Sequence, residues 1–448
     1  MIANKRIAIF GLAQEGISAL EYLASKNDIT LIDEKSEKEI DKQYFDNPLV
    51  RKAKLHLGKS YKAEKFDLVV HSAGIRPDHP RIKKLKELGA KVTSPTKIFF
   101  DECPGQIIGV TGTKGKGTTS TLIYEILKTK FSQVFLAGNI GTPMLSILPK
   151  LNISSKIVLE LSSFQLMDLQ KSPHIAVILM VTSEHLNWHT NLNEYLKAKA
   201  SIIKFQSEND FAVINADYKS SMKFVSKARS KIFLFSTITK VNGIFLLRDT
   251  IVSTIGTKEQ ILSTKDILLP GAHNIQNVCA AVATAKIMGV ENNKIVKVVK
   301  TFKGLEHRLQ LVRDLNGVKY YNDSFSTTPE TTIAAIASFS NPKILIIGGS
   351  SKNSDFTELV KVIYKEKTIR ALILIGEEGK HINNLLKNFG YSGRIVMGQK
   401  SMSQIIEACV KIAKKGDVVL LSPAAASFDM FKNYKDRGQQ FIEEVNKL

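Results

Sequence analysis

Cysteine is scarce, with three residues in 448, at positions 103, 279 and 409. Their wide spacing fits neither a disulfide framework nor a metal-ligand pattern, so each reads as a small buried hydrophobe. No apolar run reaches the ~20 residues of a membrane span, so membrane insertion is not expected. Met1-Ile-Ala-Asn-Lys-Arg6 enters a short apolar run and a glycine turn, without the apolar core and cleavage site of a signal peptide. The cytoplasm is the expected compartment. Arginine is sparse, at 11 of 63 basic residues, and basic blocks of five or more are missing. The net charge of +21 therefore comes mostly from lysines scattered over amphipathic helices. That is a solvated surface rather than a nucleic-acid footprint, though it favours small anions such as nucleotides. There is no internal repeat and no low-complexity tract.

What is present is Gly109-Val-Thr-Gly-Thr-Lys-Gly-Lys-Gly-Thr-Thr-Ser120. An apolar run at 106–110 precedes it, and Leu122, Ile123, Ile126 and Leu127 follow at helical spacing. Strand, glycine loop and helix make a phosphate cradle, in which helix-start N–H groups and the helix dipole face an anion. Lys116 adds a cation for terminal phosphates, and Thr118 or Thr119 a hydroxyl for Mg²⁺. The general phosphate-loop pattern is imperfect, with Val110 in place of its first glycine and Gly117 in place of the Ser/Thr after the lysine.

Upstream, a strand enters a turn with Gly11 and Gly16, a helix follows, and a second strand ends at Asp33-Glu34. This is a Rossmann-like opening without the full G-x-G-x-x-G. The acids read either as ligand hydrogen-bonders or as a solvated strand end. A third strand, 66–71, runs into Ser72-Ala-Gly74-Ile75, and 92–95 reads as a linker. Downstream, Glu160 lies inside an apolar run, which is costly unless it binds a metal or pairs with a lysine. His185 follows a buried strand and reads as catalytic or as a structural hydrogen-bonder. Lys199 lies near the apolar side of a helix at 193–205. Runs 231–235 and 243–248 suggest an antiparallel excursion. Asn274 and Asn277 share one helical face, suited to a nucleobase edge or to capping. From about residue 301, strands at 344–347, 371–375, 395–397 and 418–421 alternate with helices, hence a parallel sheet.

These segments resemble the Mur ligase family nearly end to end. The carriers are Gly112-Thr-Lys-Gly-Lys116, Gly138-Asn-Ile-Gly141, Leu159-Glu-Leu-Ser-Ser-Phe-Gln-Leu166, His185 with Tyr195-Leu-Lys-Ala-Lys199, His273-Asn-Ile-Gln-Asn277, His307-Arg308, Asn322-Asp-Ser324, and Leu421-Ser-Pro423 through Ser427-Phe-Asp-Met-Phe-Lys-Asn433. The 159–166 run and the last stretch point to the glutamate-adding branch. The resemblance implies an α/β fold of three domains: a Rossmann-like nucleotide-sugar domain at 1–95, a phosphate-loop ATPase-like domain at 96–302, and a Rossmann-like amino-acid domain at 303–448. It implies a monomeric, ATP-dependent ligase of peptidoglycan precursor synthesis, joining glutamate to UDP-N-acetylmuramoyl-L-alanine through an acyl phosphate.

The implied roles follow the motifs. Gly112, Thr113, Lys114, Gly115, Lys116, Gly117, Thr118 and Thr119 hold ATP. Asn277, with Asn274, meets adenine, and Arg308 and Asp323 meet phosphate and ribose. Thr118, Glu160, His185 and a carbamylated Lys199 support two Mg²⁺ ions, and Lys116, His185 and Lys199 form the catalytic set. Gly11, Gly16, Asp33, Glu34, Ser72, Gly74 and Asn139 hold the UDP-sugar. Thr327, Lys352, Ser427 and Tyr434 receive glutamate. Gly117, Phe325 and Tyr434 depart from the family pattern; Phe325 stands where many members have lysine. Two other readings are a folylpolyglutamate-synthetase-like ligase, favoured by Lys116-Gly117-Thr118, and a non-catalytic nucleotide-binding scaffold.

Overall fold

The computed structural model describes residues 2–59, 64–139, 141–182, 188–351 and 354–448. The fold is α/β, built on three sheets. By internal contacts the chain divides into two compact units, one comprising 1–264 with 276–298, the other 265–275 with 299–448.

The first unit opens with a five-stranded sheet in the order Lys54–Leu57, Asp28–Asp33, Arg6–Phe10, Leu68–His71, Lys91–Thr93, parallel throughout. Its central strand is apolar on both faces. Ile7 and Ile9 enter one core and Ala8 and Phe10 the other, as a doubly covered parallel sheet requires. The linker expected at 92–95 is instead the edge strand Lys91–Thr93, pairing Val69 with Val92, followed by the helix Pro95–Glu102. The reason is local: Ser94 Oγ accepts from Lys97 N, and Pro95 occupies the first helical position, where no N–H is required.

The second sheet of this unit runs Glu259–Ser263, Thr250–Ser253, Gly243–Leu247, Lys231–Ser236, Phe211–Asn215, Ile175–Ile178, Gln106–Thr111, Lys156–Glu160, Val134–Gly138. The antiparallel excursion begins one strand later than expected. Lys231–Ser236 and Gly243–Leu247 are parallel, and reversal comes between Gly243–Leu247 and Thr250–Ser253. Gly243, at φ +141°, permits the parallel approach, since a Cβ there would lie 2.0 Å from the Leu234 carbonyl oxygen. One apolar core joins the two sheets, with Ile9, Leu20, Phe99, Leu145 and Leu159 all buried in it.

The second unit holds a six-stranded sheet ordered Gln310–Leu315, Val318–Asn322, Val418–Leu421, Lys343–Gly348, Ile369–Ile375, Arg394–Met397. Only its first strand is antiparallel to its neighbour. Cores on both faces again explain the unbroken apolar run 344–347 within Lys343–Gly348, where Leu345 and Ile347 face one side and Ile344 and Ile346 the other.

Candidate functional site

In the first unit, the strand Gln106–Thr111 ends where the helix Lys116–Lys128 begins. Gly115 caps that helix at φ +86°, and a Cβ on it would lie 2.3 Å from Asn277 Oδ1. Glycine is therefore required twice, by the left-handed backbone and by the packed amide. Asn277 Oδ1 also accepts from Thr119 Oγ1 at 3.2 Å. Lys116 Nζ donates to the Gly112 and Thr113 carbonyls, each at 3.0 Å. Thr113 Oγ1 lies 2.9 Å from Tyr195 Oη and accepts from Thr182 N at 2.8 Å. Thr118 is buried in the first helical turn. Gly115→Ala is expected to weaken ATP binding about tenfold or more by calorimetric titration, since left-handed strain in a non-glycine residue costs roughly 1–3 kcal/mol before Asn277 is displaced.

Glu160 ends the neighbouring strand Lys156–Glu160, in register with Val110 at the start of the phosphate loop. It is 2% exposed, and its Oε1 accepts from Asn139 Nδ2 at 2.8 Å. Among the described residues Oε2 has no hydrogen-bond partner and no lysine lies within ion-pair distance of the carboxylate. A buried carboxylate with one orphaned oxygen beside a phosphate cradle fits a Mg²⁺ ligand. Mg²⁺ is usually held by one or two carboxylates with phosphate and water, so the lack of any three-residue His/Cys/Asp/Glu cluster among the described residues is compatible with it.

Lys199 is 1% exposed on the helix Leu192–Lys204. Its Nζ donates to Gly112 O at 3.0 Å and Thr111 Oγ1 at 3.2 Å and lies 4.8 Å from the centre of the Tyr195 ring. The strand edge thus brings Lys116, Thr118, Glu160, Lys199 and Asn277 to one loop. His185 and Lys352 lie outside the described residues.

The first sheet's carboxyl edge gathers the expected nucleotide-sugar residues. Gly11 turns at φ +106°, and a Cβ on Gly16 would meet the Gly11 carbonyl oxygen at 1.9 Å, so the helix Gln14–Leu23 sits directly on the turn. Asp33 is occupied by the backbone, accepting from Leu12 N at 2.7 Å and Lys35 N at 2.9 Å. Glu34 pairs with Arg81 and His79, each at 3.4 Å. Ser72 Oγ donates to Gly11 O at 3.3 Å. Sequence reasoning missed Glu15, whose carboxylate accepts from Ala73 N at 2.8 Å and Gln165 Nε2 at 2.7 Å, so that it ties three segments together.

In the second unit, Asn274 Nδ2 donates back to Pro270 O at 2.7 Å. Arg308 stacks over Phe325 with its guanidinium carbon 4.4 Å from the ring centre, and Phe325 meets Tyr434 edge-on at 5.2 Å. Asp323 is buried and accepts from Leu309 N at 3.1 Å and Ser422 Oγ at 2.8 Å. Burial pushes its carboxyl up to about 6, against those hydrogen bonds. The folded pKa lies above the unfolded one, so the native state binds the extra proton between about pH 4 and pH 6. Stability is therefore expected to fall as pH rises through that window, by on the order of 1 kcal/mol per pH unit; Asp323→Asn should flatten that slope in urea titrations.

Ser427 is buried, and Thr327 is half-buried. A second missed residue is Arg437, which is fully buried and donates to Ser324 Oγ at 2.9 Å, Ser324 O at 2.9 Å and the carbonyls of Ala425 and Ala426. Burial pushes its guanidinium down to about 10. It fixes the loops that carry Ser324, Phe325 and Ser427.

The family model for the Mur ligase middle domain matches residues 110–285, and that for the Mur ligase glutamate ligase domain matches 307–425. Among curated relatives, the UDP-N-acetylmuramoylalanine–D-glutamate ligase of Acetivibrio thermocellus is 39% identical, over 100% of this chain and 97% of its own. That of Clostridioides difficile is 36% identical, over 100% and 99%. Among solved structures, the UDP-N-acetylmuramate–alanine ligase of Thermotoga maritima aligns with a TM-score of 0.58 at 17% identity, covering 99% of this chain and 100% of that one. The MurF ligase of Thermotoga maritima, solved in complex with ADP, gives 0.58 at 19%, covering 98% of each. The first of the two domain models starts at Val110, the strand residue opposite Glu160; with full-length relatives on either side of that point, the chain belongs to the Mur ligase family.

Proposed function

We propose that this chain is the ATP-dependent ligase that joins glutamate, as the D-enantiomer, to the carboxylate of UDP-N-acetylmuramoyl-L-alanine. The observation that carries the reading is Glu160, buried with one oxygen unpartnered, in register with the strand that feeds the phosphate loop. The chemistry brings two anions together and then admits an amine. Charge neutralisation and positioning therefore dominate.

Lys116 holds the terminal phosphates of ATP as the substrate carboxylate attacks the γ-phosphorus, the bond to the β–γ bridging oxygen breaks and ADP leaves. The acyl phosphate so formed is opened by the glutamate amine, and phosphate leaves. Glu160 and the Thr118 hydroxyl would hold Mg²⁺, and His185 would serve a second ion; the metal would supply neutralisation of the phosphate charge. Lys199 serves as a carbamate: the ammonium first gives up a proton, the neutral Nζ adds to the carbon of CO₂ and a second proton leaves, so that a cation becomes an anion. Asn277 and Asn274 attend the adenine, and Arg308 and Asp323 the phosphate and ribose. The loops bearing Gly11, Gly16, Asp33, Glu34, Ser72, Gly74 and Asn139 take the nucleotide sugar, and Thr327, Lys352, Ser427 and Tyr434 take glutamate. The three-domain division at 95 and 302, a monomeric state and a cytoplasmic setting belong to the same reading.

An amino-acid panel in a phosphate-release assay tests it, with ATP and UDP-N-acetylmuramoyl-L-alanine fixed. D-Glutamate is expected to give the fastest turnover. Phosphate release that ignores the amino acid, or a preference for L-glutamate on a folate acceptor, would reject the assignment.

A further inference from the structure

One guanidinium joins the 72–75 loop to the helix that carries Lys199. Arg76 Nη1 and Nη2 donate to the two carboxylate oxygens of Glu194 at 3.1 and 3.0 Å, the forked contact that suits arginine and not lysine. Its Nε and Nη2 donate to Asp78 at 2.8 and 3.0 Å, and Nη1 donates to Trp188 O at 2.7 Å. The guanidinium carbon lies 5.1 Å from the centre of the Trp188 ring, whose Nε1 donates to Gly74 O at 3.3 Å. Glu194 stands in the first turn of the helix Leu192–Lys204 and also accepts from Thr190 N at 2.8 Å. The Arg76 hydrogen bonds hold its carboxyl down at about 2. The next residue, Tyr195, reaches Thr113 Oγ1, and Lys199 reaches Gly112 O. A single rigid helix thus has its first turn held by the 72–76 segment and its inner face on the phosphate loop. Arg76 and Glu194 are half-buried, and their fork is part of a network with Asp78 rather than a lone ion pair.

We infer that Arg76 is a positioning residue, coupling the seating of the nucleotide sugar on the 72–75 loop to the placement of Tyr195 and Lys199 at the phosphate loop. This rests on the ligase reading above.

Trp188 is the sole tryptophan, so its emission reports the clamp directly. Wild-type emission is expected to shift with UDP-N-acetylmuramoyl-L-alanine, and a non-hydrolysable ATP analogue is expected to tighten that titration severalfold. In Arg76→Gln and Glu194→Gln the tightening disappears and kcat falls about tenfold, well below the melting temperature. The double variant is no worse than the poorer single one, because both remove one contact. Arg76→Lys, which keeps the charge and loses the fork, gives an intermediate loss and stands in should Arg76→Gln not fold. Unchanged kcat and tightening in both single variants, losses that multiply, or losses that follow only the melting temperature overturn the coupling role. A wild-type chain with neither turnover nor an emission response overturns the ligase reading itself.

Discussion

Lys116→Ala is expected to lower kcat for ATP-dependent phosphate release by about 10³, with the melting temperature little changed. The size follows from what the ammonium faces. Removing one preorganised donor from a site of developing charge costs about 10²–10³ in rate, and here the donor also carries a full positive charge. Its Nζ rests on the Gly112 and Thr113 carbonyls, at the mouth of the loop and beside the helix start. The helix N–H groups and the left-handed Gly115 remain in Lys116→Ala, so nucleotide binding should weaken less than turnover. Single-turnover kinetics separate the two: the loss should lie in the chemical step. Lys116→Arg keeps the charge on a broader, planar head and should recover only part of the rate. A Lys116→Ala enzyme within tenfold of wild type would remove the phosphate-neutralising role.

The activity of Lys199→Ala is expected to fall roughly ten- to a hundredfold, the scale seen when a group supporting a metal ligand is lost. The reasoning is electrostatic. Lys199 is 1% exposed, with its Nζ on the Thr111 hydroxyl and the Gly112 carbonyl, and a charge held that far from water is costly. On the proposed reading, conversion to a carbamate would replace that cation with an anion able to support the metal. Acetate or formate, diffusing into the space left by the side chain, should then restore part of the activity of Lys199→Ala. They should do nothing for Lys116→Ala. A ¹³C carbamate resonance from enzyme equilibrated with labelled bicarbonate, absent in the variant, checks the modification without reference to turnover. Full activity of unrescued Lys199→Ala would dismiss the role altogether.

The parts of this molecule that sequence reasoning reached are those whose cause is local. The Gln106–Thr111 strand, its glycine loop and the helix after it declare themselves within about twenty residues, through apolar period and turn chemistry. The inward Lys199 followed from helical phase alone. What escaped was set by partners far along the chain. Arg437 looks like a surface residue of an amphipathic helix, yet its acceptor Ser324 is 113 residues away. Glu15 and Gln165 meet across 150 residues. The edge strand at 91–93 has only three residues, too few for alternation to register, and Ser94-Pro95 reads as a break although it is a helix start. The parallel pairing of Gly243 with Leu234 depends on a backbone approach that no composition rule encodes.

Residues 265–275 belong to the second unit, while 276–298 return to the first. Within the second unit, Lys300 pairs with Asp266 at 3.2 Å, and Gly271 packs against Ser338. Within the first, Asn277 closes on Gly115. No single cut can therefore dissect the gene product into two faithful pieces. Severing at 264 strips the phosphate cradle of Asn277, and severing at 298 carries off the ten-odd residues on which the remaining piece rests. Anyone wishing to study the halves separately must move two segments, not one, as in a circularly permuted or split-and-complemented chain.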